Sequence, residues 1–378
     1  MKIKAAVLYE MGKSRPYYES NPLQIEEIDL SEPEYGEILV RIHAAGLCHS
    51  DLSVIDGNRP RPLPMALGHE AAGEVVSCGG GVADLKPGDH VVFSFVPACG
   101  HCDPCMTGRP ALCEPGNASN SKGTLLSGGI RLKNKNLQQI NHHLGVSAFA
   151  EYAIVSRHSL VKIDPALPYE IAALFGCAIL TGVGTVANTA NLQMGQNILI
   201  VGLGGVGFAA LLGALARGAG KVIAADINPQ KRKQALQMGA HETIDPADQE
   251  AVARVREGMT HGGVDVAVEF AGAIAALEFA FACTRRGGTT VTAGLPHPAK
   301  RLDLSPVTLV GEERTLKGAY LGSSIPSRDI PAYISLFLSG RLPVDKLLSQ
   351  ILPLEAINEG FERLAQGNTI RQVITFPG

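Results

Sequence analysis

One stretch constrains the fold more than any other. The apolar run Asn197-Ile-Leu-Ile-Val201 leads straight into Gly202-Leu-Gly204-Gly205-Val206-Gly207, and a helical run follows to about Arg217. Strand, glycine-rich turn and helix in that order make the first turn of a dinucleotide-binding βαβ unit. Its glycines permit a tight turn and let a pyrophosphate approach a helix N-terminus. In a chain with 43 glycines the six-residue pattern alone would carry little, so the flanking strand and helix decide the reading. The next strand, Lys221-Val-Ile-Ala-Ala-Asp226, ends on a carboxylate nineteen residues after Gly207. That is where ribose hydroxyls would be held, and an acid there repels the extra phosphate of NADP. NAD is therefore the expected cofactor, although Lys231, Arg232 and Lys233 follow closely. The plainer alternative makes Asp226 the start of a turn before Asn228-Pro229. Val264–Phe270 and Thr289–Ala293 read as further strands, giving a parallel, doubly wound sheet.

At 378 residues the chain exceeds what one core usually serves, and its texture changes along its length. Up to about Gly176, short strands alternate with Gly and Pro turns: Ile38–His43, Glu74–Val76, His90–Phe93 and Glu151–Val155. That pattern reads as an irregular β domain. Past Gly318 come expected helices over Ile330–Ser339 and Leu354–Gln366 and a closing strand Gln372–Phe376. The expected organisation is a first domain over 1–178, a Rossmann domain over 179–319, and a tail over 320–378 that rejoins the first. Asn117–His142, polar and glycine-rich without clear periodicity, reads as a long surface loop.

A net charge of −3 with both signs interspersed gives neither a basic stripe for nucleic acid nor a polybasic membrane patch, so a small-molecule partner is expected. Glu10 interrupts the start of the chain before any signal-like apolar region, and no apolar stretch reaches the length of a bilayer span. A cytoplasmic protein is the expectation.

Of eight cysteines, four fall in one fifteen-residue window: Cys99, Cys102, Cys105 and Cys113. Four thiolates close a tetrahedral zinc shell with no open position, which makes a structural site. Iron–sulfur clusters also take four cysteines, but their runs are spaced differently. His101 lies inside the loop and is not needed as a ligand. Cys78 and Cys283 stand apart and read as ordinary thiols.

Away from that window lie Cys48-His49-Ser50-Asp51, Gly68-His69-Glu70 and Gly176-Cys177. Two cysteines and a histidine leave a zinc's fourth position open, as catalysis requires, yet spacing alone does not assemble them, and His69 reads equally as a satisfied core histidine. Gly68-His-Glu-Ala-Ala-Gly-Glu-Val, the Cys99–Cys113 loop, Gly202–Gly207 and Ile357-Asn-Glu-Gly-Phe together resemble zinc-dependent medium-chain alcohol dehydrogenases over almost the whole chain. The segment ending in His143-Leu-Gly-Val-Ser-Ala-Phe-Ala-Glu-Tyr resembles the long-loop branch that includes liver-type and glutathione-dependent formaldehyde dehydrogenases.

The resemblance implies a GroES-like catalytic domain beside the Rossmann domain, and two zinc ions per chain. It makes Cys48, His69 and Cys177 the catalytic zinc ligands. Glu70 becomes a carboxylate behind the metal, Asp51 the group that orients the histidine, and Ser50 the hydroxyl that starts a proton relay. The family's relay often continues to a histidine three residues beyond that hydroxyl, where this chain has Ser53. The resemblance places His49 and Arg371 at the pyrophosphate, Asp226 and Lys231 at the adenosine ribose, Thr181 and Val206 against the nicotinamide, and Phe95 and Leu144 in the substrate pocket. Core packing is the plain alternative for Phe95 and Leu144, and a surface charge for Arg371. It also implies a homodimer joined through the cofactor domains, with a tetramer open. The expected reaction passes a hydride between an alcohol and NAD. The alternatives are a dehydrogenase of S-hydroxymethylglutathione and a non-catalytic dinucleotide-binding protein. Against the first, Glu114–Asn117 lacks an arginine to hold a glutathione carboxylate.

Overall fold

The computed structural model describes residues 1–377 and divides the chain into two compact units. The first comprises Met1–Cys177, Ile325–Ala332 and Leu348–Gly378; the second comprises Ala178–Ser324 and Tyr333–Leu347.

Two sheets build the first unit. Lys2–Leu8, Leu23–Leu30, Leu132–Lys133, Gln139–His142 and Met65–Ala66 close into a small barrel around Ile3, Val7, Ile28, Leu30, Leu132 and Ile140. In the second sheet Glu37–Gly46 is central. It pairs antiparallel with Glu70–Cys78, Tyr152–Ser156 and the C-terminal strand Arg371–Thr375. Leu348–Pro353 then runs parallel to that last strand, so the chain's end does return to the first unit.

The expected tail of 320–378 is corrected in part, because Tyr333–Leu347 groups with the second unit. There the turn Val344–Leu347, with Val344 and Leu347 fully buried, packs on the helix Gly205–Ala216. The expected surface loop over 117–142 is also corrected. It holds the end of the helix Glu114–Lys122 and the two strands that complete the barrel. Its polar, glycine-rich surface hides a sparse set of buried anchors, Leu125, Leu132 and Ile140.

The second unit is a six-stranded parallel sheet. Its order is Glu242–Ile244, Val222–Ala225, Ile198–Val201, Val264–Glu269, Thr284–Thr292, Thr315–Gly318. The order reverses beside Ile198–Val201, which is the switch point where doubly wound sheets bind nucleotides. Leu199, Val201, Ile223, Ala267 and Ala280 fill the space between this sheet and its helices. Among the described residues no single helix is long and apolar enough to cross a membrane.

His142 is fully buried and accepts the backbone N–H of Arg131 at Nε2 over 3.0 Å, which requires a neutral ring. Burial, opposed by the Glu37 carboxylate and aided by the Arg131 charge, pushes it down from 6.5 to about 4. A depressed folded value means the stabilisation is whole above pH 6.5 and is lost as pH falls towards 4, by about 3 kcal/mol. His142→Gln keeps an acceptor but does not titrate. Urea midpoints of wild type and variant should therefore converge across that window as the pH falls.

Candidate metal centre and dinucleotide site

The first unit brings Cys48, His69, Glu70 and Cys177 together. One ligand atom from each lies within 4.8 Å of every other, and all four residues are buried. Cys48 is the extended residue that opens the helix His49–Ile55. His69 and Glu70 stand where the chain enters the strand Glu70–Cys78. Gly68 makes that entry possible: its φ is +94°, and a Cβ there would sit 2.5 Å from the backbone nitrogen of Phe149. Cys177 follows the turn Leu174–Gly176.

The donor atoms suit a tetrahedral zinc. The sulphurs of Cys48 and Cys177 are 4.0 Å apart, near the separation expected for two thiolates on one ion. His69 is wholly buried and directs Nδ1 to Asp51 Oδ1 at 3.1 Å, while Nε2 has no protein partner. A buried ring nitrogen left bare beside two sulphurs is what a metal ligand looks like. The hydrogen bond with Cys177 holds the Cys48 thiol well below its ordinary range, and the same bond together with burial pushes Cys177 well above.

Around these ligands the charges are paired. Asp51, 0% exposed, also accepts the backbone N–H of Gly68 over 3.1 Å. Burial drives Asp51 upward, but His69 and His143 outweigh it and hold the carboxylate below its usual range. Glu70 is pushed up to about 7, chiefly by burial, with Arg371 opposing. Arg371, 4% exposed, sets Nη1 3.3 Å from Glu70 Oε2 and 3.1 Å from the carbonyl of Leu47. The arginine expected at a pyrophosphate is thus turned inward to Glu70, and its buried Nε has no hydrogen-bond partner among the described residues.

Phe95 presents its ring edge-on to His69 at 5.2 Å, and both Phe95 and Leu144 are buried. Ser50 is half-buried and makes no hydrogen bond to any described residue, whereas Ser53 donates its hydroxyl to the carbonyl of His49 over 2.8 Å. Reading the sequence missed His143, whose Nδ1 lies 3.1 Å from Asp51. The only signal was a histidine pair beside Leu144.

Cys99, Cys102, Cys105 and Cys113 likewise converge within 4.8 Å. Backbone N–H groups of Cys99 and Gly116 point at the Cys113 sulphur, and that of Cys102 at the Cys99 sulphur, stabilising thiolates. His101 is exposed and bonds the carbonyl of Cys99, outside the cluster.

In the second unit Gly204 caps the helix Gly205–Ala216 without a side chain, leaving its first N–H groups accessible. A Cβ on Gly207 would fall 1.9 Å from the carbonyl of Gly202, so only glycine lets the helix start that close to the strand. Asp226 accepts the Leu203 N–H at one oxygen (2.7 Å) and the Asn228 N–H at the other (2.8 Å), which fixes its carboxylate beside the glycine turn. Val206 and Lys231 are half-buried around that turn, and the ammonium of Lys231 has no ion pair among the described residues. Arg232 is committed to the carbonyls of Asp226 and Ile227 and to Asp245. Thr181 is half-buried, and its carbonyl accepts from the Thr185 hydroxyl at 2.7 Å. His49 stands exposed on the first unit's helix His49–Ile55.

Comparison with known proteins agrees with this arrangement. The family described as "Alcohol dehydrogenase GroES-like domain" matches residues 34–165, and "Zinc-binding dehydrogenase" matches residues 205–339. An alcohol dehydrogenase zinc-binding domain protein from Burkholderia ambifaria is 34% identical over 100% of both chains, with a TM-score of 0.94. Benzyl alcohol dehydrogenase from Acinetobacter calcoaceticus is 31% identical over 100% of both chains, with a TM-score of 0.92. A Sinorhizobium meliloti 1021 protein solved with NADP shares the fold at 24% identity and a TM-score of 0.81, again over 100% of both chains. The chain belongs to the zinc-dependent medium-chain alcohol dehydrogenase family, whose members are oxidoreductases that use zinc and a nicotinamide dinucleotide.

Breaking the Arg371–Glu70 pair leaves a buried carboxylate without its cation. Arg371→Met is expected to cost roughly 3 kcal/mol or more in urea unfolding, while Arg371→Met with Glu70→Gln should recover a large part of the loss. A double variant no more stable than the single one would show that the two groups act separately.

Proposed function

We propose that the protein is a NAD-dependent alcohol dehydrogenase acting on free, largely apolar primary or secondary alcohols. The observation that carries this reading is the bare Nε2 of buried His69 facing the sulphurs of Cys48 and Cys177. Those three side chains would hold a catalytic zinc, and Cys99, Cys102, Cys105 and Cys113 a second, structural one. When bound, zinc polarises the alcohol oxygen. Lowering an alcohol's pKa from about 16 to about 7 would be worth roughly 12 kcal/mol, and a bound nicotinamide would supply the hydride acceptor.

The chain's own residues divide the remaining work. Ser50, whose hydroxyl has no hydrogen-bond partner among the described residues, would take the hydrogen bond of the alcohol and pass on its proton. Ser53 is held by the carbonyl of His49, so the proton continues to solvent through water. Phe95 and Leu144 give the substrate an apolar wall, in keeping with the benzyl alcohol dehydrogenase among the similar proteins. Glu70 and Arg371 hold a buried charge pair against the ligands.

NAD is favoured over NADP because Asp226 presents a fixed carboxylate to the ribose. The nearby Arg232, the residue best suited to a 2′-phosphate, is engaged by Asp245 and two carbonyls. Gly202, Gly204, Gly205, Val206 and Gly207 would receive the pyrophosphate, Lys231 the ribose, and Thr181 with Val206 the nicotinamide.

The barrel-closing 117–142 segment supports the long-loop branch. The helix Glu114–Lys122 begins with Glu114, Pro115, Gly116 and Asn117, so no arginine stands there for glutathione. Eight free thiols fit a reducing cytoplasm. The edge strand Thr315–Gly318, with Val307 and Val310 each 78% exposed nearby, supports a homodimer through the second unit.

The test is NAD reduction, followed by absorbance, across aliphatic and aromatic alcohols, with zinc quantified. Wild type should oxidise a subset and carry two zincs, and Cys48→Ala should lose activity and one zinc. Wild type with two zincs that oxidises none, with or without formaldehyde and glutathione, would end the proposal.

Asp226→Gly removes the ribose acceptor and the charge that repels phosphate. The ratio of kcat/KM for NADP to that for NAD should rise roughly 100-fold or more, and an unchanged ratio would place cofactor choice elsewhere.

A further inference from the structure

His143 is the buried titratable group beside the ligands that coordination does not use. It is 1% exposed, and its Nδ1 lies 3.1 Å from Asp51 Oδ1. The same oxygen lies 3.1 Å from His69 Nδ1 and from the backbone nitrogen of Gly68. The two imidazoles stand nearly perpendicular, at 85° with centroids 5.7 Å apart, so they meet the carboxylate from different directions.

The ring of His143 is set by a tight turn. Its backbone N–H donates to Ser147 Oγ over 2.9 Å, and its carbonyl accepts from the N–H groups of Val146 at 3.0 Å and Ser147 at 3.3 Å. Leu144 and Ser147, at φ 53° and 57°, hold left-handed conformations that non-glycine residues adopt only when their surroundings impose them. Asp51 has neither a lysine nor an arginine within ion-pair distance among the described residues; its charge is met by Gly68, His69 and His143.

We infer that His143 is a positioning residue for the metal. With its buried Nδ1 3.1 Å from Oδ1, close to but not aligned as a hydrogen bond, the ring bears on the Asp51 carboxylate from a second side and limits its tilt, and the carboxylate keeps His69 turned with Nε2 towards Cys48 and Cys177. A carboxylate held by one imidazole and one amide is free to tilt about its Cβ–Cγ bond, and a second ring from another direction removes that freedom. Groups that orient a ligating histidine typically govern metal retention 10- to 100-fold. The inference rests on the zinc reading proposed above.

The test challenges the zinc-loaded enzyme with excess metallochromic chelator and follows the release of each zinc by absorbance. His143→Phe and His143→Leu remove the polar ring atom beside Asp51, while His143→Asn places an amide N–H close to where Nδ1 stood. Phe and Leu should release one zinc per chain roughly 10- to 100-fold faster, with the other zinc leaving at the wild-type rate. Asn should stay near wild type. Release at the wild-type rate from Phe and Leu would overturn the inference, as would Asn releasing as fast as they do. Accelerated loss of both zincs together would make His143 a packing residue and overturn it equally. Wild type lacking the faster-exchanging zinc altogether would instead defeat the zinc reading itself.

Discussion

Burying an ionised group costs several kilocalories per mole unless partners replace its water, and the first unit buries Cys48, Asp51, His69, Glu70, Cys177 and Arg371 in one place. That set can exist only if every member arrives with its partner. Asp51 comes with His69, His143 and the Gly68 amide, and Glu70 with Arg371. The strands that carry them are therefore not interchangeable. Gly46 lies opposite Glu70 and also opposite Val373, so the central strand Glu37–Gly46 places the segments bearing Cys48, Glu70 and Arg371 within reach of one another. A slip of one residue in either pairing would turn a buried charge away from its partner.

The second unit solves a simpler problem with local means. One strand, one glycine turn and one helix, all contiguous, produce the accessible N–H groups. The Asp226 carboxylate reaches back to the Leu203 amide and fastens the neighbouring strand end to that turn. The unit's buried carboxylate, Glu269, is met by hydrogen bonds from Thr292 and the Gly272 amide. Among the described residues Arg232 is committed to Asp245 and two carbonyls, while the Lys231 ammonium has no ion pair.

This difference explains what could be read from the sequence. The glycine turn and the Cys99–Cys113 cluster are short-range, so spacing alone exposed them, and the observed strands Ile198–Val201 and Val222–Ala225 lie within the expected ones. Cys48, His69 and Cys177 are scattered, and only resemblance joined them; the structure brings their donor atoms within 4.8 Å of one another. Residues 117–142 were opaque because three well-spaced apolar residues, without helical or strand periodicity, bury the segment. Tyr333–Leu347 was assigned to the wrong unit because its apolar residues do not reveal which core receives them. His143 was invisible because its role depends on a carboxylate 92 positions away in the chain, at Asp51.

The inward turn of Arg371 follows from the same electrostatics. A divalent ion at Cys48 and Cys177 would be neutralised by their two thiolates, and Arg371 offsets Glu70, which would leave the Asp51 charge unmatched. No lysine or arginine stands within ion-pair distance of Asp51 among the described residues, so that charge must be spread by hydrogen bonds. A cation at Asp51 would neutralise it more cheaply, but it would also compete with His69 for the carboxylate and draw electron density away from the ring. The His69 ring and the Gly68 amide hydrogen-bond the anion, with His143 close by, so the carboxylate's charge polarises the His69 ring. The arrangement therefore favours a strongly donating His69 over maximal stability of the buried carboxylate.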